Sequence, residues 1–172
     1  MATAQFSPNN DAVQLEVFVA APPARVFQAI TDPSQLQQWW GQKGLYRVTN
    51  AHSDLRKGGA WSTSGVGEDG TEFTVKGEYV EVDPPRLLVQ TWNPSYLGVA
   101  RNCRAMGTRG TGGSRPARRH PTPLRNWHPG YDSPLGFAGN VEACKQHGDG
   151  WVRVLGWMQA FVEQDWGVGR GD

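Results

Sequence analysis

Gly65-Val66-Gly67-Glu68-Asp69-Gly70 has the GxGxxG spacing of dinucleotide-binding loops, in which glycines let a helix N-terminus approach a pyrophosphate. That chemistry needs a helix after the glycines. Here an alternating, strand-like segment follows, and Asp69-Gly70 suits positive φ, so the motif reads as a hairpin turn. A second group could form a binding site. The aromatic residues Trp39, Trp40, Trp61, Phe73, Tyr79, Trp92 and Trp151, with Leu155 and Met158, could line a cavity for an apolar or planar ligand, oriented by the Tyr79 hydroxyl or an indole N–H. The same residues would serve as ordinary core. Of the titratable groups, His52, Asp54 and Glu78 could reach such a cavity, or could equally be solvated strand residues. No triad or carboxylate pair stands out, so no catalytic residue is assigned. His147, just before Gly148, is expected to be exposed at the start of a helix. Cys103 and Cys144 make no disulfide framework, and no Cys/His cluster has zinc spacing, so no metal and no cofactor is implied. The terminal Arg170-Gly171-Asp172 matches an adhesion tripeptide by chance.

The elements that must position these residues are organised around the stretch Asn140 to Trp166. Its apolar residues Trp151, Val154, Leu155, Met158, Phe161 and Val162 fall at the spacing of one helical face. Asn140 can cap the start, Glu142 suits the positive end of the dipole, and Gly167 and Gly169 offer a stop. So much aromatic surface on one helix demands a sheet to cover it. Upstream, Val13 to Ala20 alternates as a strand with one buried face, and Pro23 can open a short helix carrying Val26, Phe27 and Ile30. Asp32-Pro33 starts a second short helix that ends at Gly41. Further strands are predicted over Tyr46 to Asp54, Ala60 to Ser64, Glu72 to Val82 and Arg86 to Trp92. Within Glu72 to Val82 the apolar parity switches, which requires a bulge near Gly77.

A length of 172 residues fits one domain with an ordinary core. Met1 to Asp11 has neither a basic n-region nor an apolar h-region and is expected to be disordered. No run approaches the roughly 20 apolar residues of a membrane span, so no membrane association and a cytoplasmic location are expected. The net charge of +1 hides an uneven distribution. Arg101, Arg104, Arg109, Arg115, Arg118, Arg119 and Arg125 lie between Val99 and Gly136, where Asp132 is the single acid. That stretch has no periodicity, five prolines and six glycines, and as written reads as an irregular insert, residues 99–136, in a domain spanning 12–166 with a tail at 167–172. Its arginines could bind phosphates, with Trp127 and Tyr131 stacking bases, but nucleic acid is not the expected partner.

Three stretches together resemble a known family: Ala21-Pro-Pro-Ala-Arg-Val-Phe through Trp39-Trp40-Gly41, Asp54-Leu-Arg-Lys-Gly-Gly through Asp83-Pro84-Pro85-Arg86 to Trp92, and His147-Gly-Asp-Gly-Trp151 onward. They are similar to the activator of Hsp90 ATPase homologue family of the START-like, birch-allergen-like helix-grip superfamily (SRPBCC). The resemblance implies an α+β fold in which a curved antiparallel sheet and two short helices hold a long C-terminal helix around a cavity. It implies a small hydrophobic ligand as partner or, alternatively, a co-chaperone-like protein-interaction module, and it implies no shared catalytic residues. It also implies two more strands where residues 99–136 lie. Codons permitted for Ala100 to Gly110 and for Trp127 to Gly136, read one nucleotide later, allow two alternating strands. The stretch therefore reads as the product of two compensating frameshifts, and a chain translated as written is expected to lack both strands and to leave open sheet edges.

Overall fold

Alternation in the Val13 segment sets one wall of the core. In the computed structural model, which describes residues 2–6, 13–95, 103–106, 122–128 and 141–167, strand β2 (Val13–Val19) buries Val13, Leu15, Val17 and Val19 completely and turns Gln14 and Phe18 outward. It is preceded by β1 (Thr3–Phe6) and followed by helices α1 (Pro23–Thr31) and α2 (Pro33–Trp39). Pro23 and Pro33 take first helical positions, where a missing N–H costs nothing, and the Asp32 carboxylate accepts the Ser34 N–H at 2.8 Å to cap α2. The buried Trp39 indole donates to the Ala29 carbonyl at 2.9 Å, which ties the two helices together without an unmet polar group.

The chain then runs through β3 (Gly41–Gln42), β4 (Tyr46–Ser53), β5 (Ala60–Gly67), β6 (Glu72–Asp83) and β7 (Leu87–Pro94), each antiparallel to the next. The β5–β6 connection is the predicted hairpin turn: the Asp69 carboxylate accepts the Thr71 N–H at 2.9 Å, and Gly70 has φ 82°. The bulge expected near Gly77 lies instead between Tyr79 and Glu81. Gly77 has a different task. A Cβ there would collide with the Thr91 carbonyl oxygen and stand 2.6 Å from Trp61 Nε1, whose N–H donates to that carbonyl at 3.1 Å. Only bare backbone lets the indole cross β6.

Helix α3 (Val141–Gly167) matches the predicted span closely; Asn140, its expected cap, is outside the described residues. It buries Trp151, Val154, Leu155, Met158 and Val162 and packs on β1, β2, α1 and α2. Near its end, Gln159 donates to the Phe18 carbonyl at 3.0 Å, and the Glu163 carboxylate accepts the Ala20 N–H at 2.9 Å. The end of β2 is thereby fixed to the helix.

Two expectations are overturned. The N-terminal residues Thr3 to Phe6, read as disordered, form β1 and pair with β2, because the Phe6 ring finds a seat over Gly148, where a Cβ would come within 2.9 Å of it. Within residues 99–136, β8 (Cys103–Met106) pairs with β7 and β9 (Thr122–His128) pairs with β2, so these edges are not open. The sheets have the orders β1-β2-β9 and β3-β4-β5-β6-β7-β8, and β8 packs beside β9. Strand edges recruit any backbone that can supply N–H and C=O groups, whatever its side chains.

The residue types in this stretch nevertheless lack the alternation of a strand with one apolar face. Opposite the buried Val19, Val17, Leu15 and Val13 of β2, the β9 register sets Thr122, Leu124, Asn126 and His128, and opposite Phe18 it sets Pro123, which has no N–H to give. The coding DNA, read one nucleotide later across this stretch, is expected to return two alternating apolar strands. A stop codon in that frame would instead establish residues 99–136 as the protein's own sequence. Arg101, Arg109, Arg115, Arg118, Arg119 and Tyr131 lie outside the described residues.

Candidate functional site

Between the sheet and α3 lies a cavity of about 440 Å³. The β5–β6 hairpin contributes Thr63, Gly67, Thr71, Glu72, Phe73 and Val75; Trp40 follows α2, Tyr46 opens β4, and Trp92 comes from β7. From α3 come Gln146, His147, Gly150, Trp151, Arg153, Val154 and Trp157, a set at helical spacing that puts one face of the helix along the space.

The aromatic side chains form two groups. In one, Trp40 stacks on Trp39 with ring centroids 5.5 Å apart and planes 4° apart, Trp92 lies 5.5 Å from Trp40, and Trp151 meets Trp92 edge-on at 5.1 Å. In the other, Tyr46 meets Phe73 edge-on at 5.6 Å and Trp157 at 5.7 Å. Trp157 is held by donating its indole N–H to Gln42 Oε1 at 3.0 Å. These are the offset and T-shaped arrangements that ring quadrupoles favour.

The polar content of the cavity is small. Glu72 and Arg153 are exposed and opposite in charge, which places them at the mouth. Inside, the Thr63 hydroxyl is buried with no hydrogen-bond partner among the described residues. His147 corrects an expectation: it lies well inside α3, its ring 6.4 Å from that of Trp151, and it lines the cavity. Burial lowers its pKa to about 4, so the imidazole is neutral at pH 7.

A second cavity, of about 10 Å³, is lined by residues including Trp39, Trp40, His52, Trp61 and Tyr79, and has room for no more than a water molecule. The Tyr79 hydroxyl shares a 2.8 Å hydrogen bond with Ser53 Oγ, and burial raises its pKa. Of the residues singled out in the sequence, Trp40, Phe73, Trp92 and Trp151 line the larger cavity, and Trp39, Trp61 and Tyr79 line the smaller one. Leu155 and Met158, 1% and 0% exposed, line neither, because the core takes their whole surface. His52 reaches only the smaller cavity, Asp54 pairs with Arg56 at 2.8 Å, and Glu78 is exposed. Tyr46, Thr63, His147, Gly150 and Trp157 were not singled out as site residues. Only Trp157, an aromatic three residues after Val154 of the apolar helical face, carried a usable signal. Among the described residues no group of three His, Cys, Asp or Glu could hold a metal ion, and no helix is long and apolar enough to cross a membrane.

No curated protein matches the sequence. Among solved structures, the chain is similar to a protein of Rhodobacter sphaeroides, at 16% identity and a TM-score of 0.71 over 98% of this chain and 99% of that one. It is similar to an AHSA1-like protein from Aeromonas hydrophila, at 17% identity and a TM-score of 0.67 over 94% and 97% of the two chains. A protein of Chromobacterium violaceum gives 21% identity and a TM-score of 0.69 over 89% and 97%. At such identities the likeness shows the fold, a helix-grip arrangement of curved antiparallel sheet and long C-terminal helix. Residues 20–102, a little under half of the chain, match the family described as Activator of Hsp90 ATPase homolog 1-like protein, and the likeness to that family is carried by this segment.

Proposed function

We propose that the protein binds a small hydrophobic or aromatic molecule in the cavity between the sheet and α3, with no catalytic machinery of its own. One observation carries this reading: a space of about 440 Å³ walled by aromatic rings, within the range of about 300 to 1,000 Å³ in which ligand sites fall. Charges at the mouth and a mostly apolar interior favour entry of a neutral molecule, which gives up little hydration. Both cysteines are read as reduced thiols, and a cytoplasmic setting belongs to the same proposal. The arginines of residues 99–136 have no part in it.

An environment-sensitive dye is expected to brighten on adding the protein and to be displaced by apolar competitors. Tryptophan fluorescence should change in step, because Trp40, Trp92, Trp151 and Trp157 all line the space. If no apolar compound produces either signal, the co-chaperone-like interaction module becomes the better account.

A further inference from the structure

Gly150 stands where the backbone of α3 meets the cavity. Glycine within a helix is less stable than alanine, so a helical glycine needs a reason. Packing does not supply one here: a Cβ at Gly150 would meet no described atom within 4 Å. At Gly148 a Cβ would stand 2.9 Å from the Phe6 ring, which gives that residue a structural role. Gly156 is as unobstructed as Gly150 but does not line the cavity, which makes it a natural control.

Gly150 thus leaves a strip of bare helix backbone facing an apolar space. Aromatic rings line the same space, with Trp40, Trp92 and Trp151 in one group and Tyr46, Phe73 and Trp157 in the other. A space lined by aromatic rings and by the bare backbone of Gly150 suits a rigid flat body, which stacks well on rings and loses no internal rotations on binding. Both charged lining residues, Glu72 and Arg153, are exposed, so nothing among the described residues would pair with a charge held inside.

The geometry points to a flat, uncharged aromatic ring compound as the ligand, lying against α3 at Gly150, with Gly150 determining which ligands fit. This inference rests on the cavity-binding reading above and narrows it. Isothermal titration calorimetry with flavone, which is rigid and flat, and decanol, which is flexible, tests it on the full chain. Flavone is expected to bind at least about tenfold more tightly than decanol. Gly150→Ala should weaken flavone binding by about tenfold, the scale of one overpacking contact, Gly150→Leu should abolish it, and Gly156→Ala should leave it unchanged. Both alanine variants should melt no lower than the parent, which separates a blocked slot from a damaged fold. Equal flavone binding by the parent and Gly150→Ala, or a lower melting temperature for Gly150→Ala, overturns the inference. Binding of decanol without flavone overturns it and leaves the cavity reading standing; if neither compound binds, both fall.

Discussion

Trp151→Ala and Leu155→Ala are expected to lower the melting temperature by about 6 to 20 °C and about 4 to 20 °C respectively. Both side chains are buried on the face of α3 that the sheet encloses, at 5% and 1% exposure. Truncating Trp to Ala in a core typically costs about 3 to 5 kcal/mol and Leu to Ala about 2 to 5 kcal/mol. In a domain of this size each kcal/mol moves the midpoint by about 2 to 4 °C. The two need not differ as their volumes suggest. Trp151 already borders a void, so part of its surface has no packing to lose, whereas Leu155 borders neither cavity and forfeits contact on every side. Arg153→Ala, on the same helix but exposed at the mouth, should stay within about 0.5 kcal/mol of the parent. Thermal melts of the three variants decide the matter. A Leu155→Ala protein melting within a degree or two of the parent would mean that the sheet does not hold this helix.

Acid is expected to destabilise the protein well before its carboxylates titrate. His147 has a pKa of about 4 in the folded chain against 6.5 for the unperturbed group, and burial is the cause. Between those values the unfolded chain binds the extra proton and the folded chain does not, so stability rises with pH across that window. The contribution is complete above pH 6.5 and is lost as pH falls towards 4. A difference of this size amounts to about 2 to 3 kcal/mol, after allowance for the partial exposure of the ring. His147→Phe, apolar and close in shape, should flatten the slope. Urea midpoints at pH 5 and pH 7.5 for parent and variant provide the measurement. Parallel losses in the two proteins would show that His147 is hydrated and that the slope comes from other groups.

What could be read from the sequence was what depends on neighbours along the chain. The face of α3, the alternation of Val13 to Val19 and the proline starts of α1 and α2 are all set by spacing within a few residues. The bulge in β6 was legible only as a parity change somewhere between Val75 and Val80. The close approach of Thr91 and Trp61 explains Gly77, and that approach comes from two other strands. Strands β1, β8 and β9 were missed because edges that only the folded sheet exposes recruit them. The aromatic residues of the site could be named in advance, but their division between a ligand-sized cavity and one barely large enough for water could not. A void is set by where atoms are absent among Trp40, Phe73, Trp92 and Trp151, which four different segments bring together. His147 was misread for the same reason: its own helix says nothing of what lies across from it.

The attachment of β2 to the end of α3 bears on how the chain must be made. Gln159 and Glu163 bond to Phe18 and Ala20, groups about 140 positions earlier, and β9 comes about 105 positions after β2. On a ribosome, β2 and the aromatic wall of β4 to β7 emerge long before the helix that covers them. Contacts this distant in sequence also make for slow closure. The nascent chain must therefore wait with Trp40 and Trp92, the rings that meet Trp151, uncovered, and synthesis that halts before α3 leaves a greasy half-shell, a substrate for chaperones and proteases rather than a smaller folded protein.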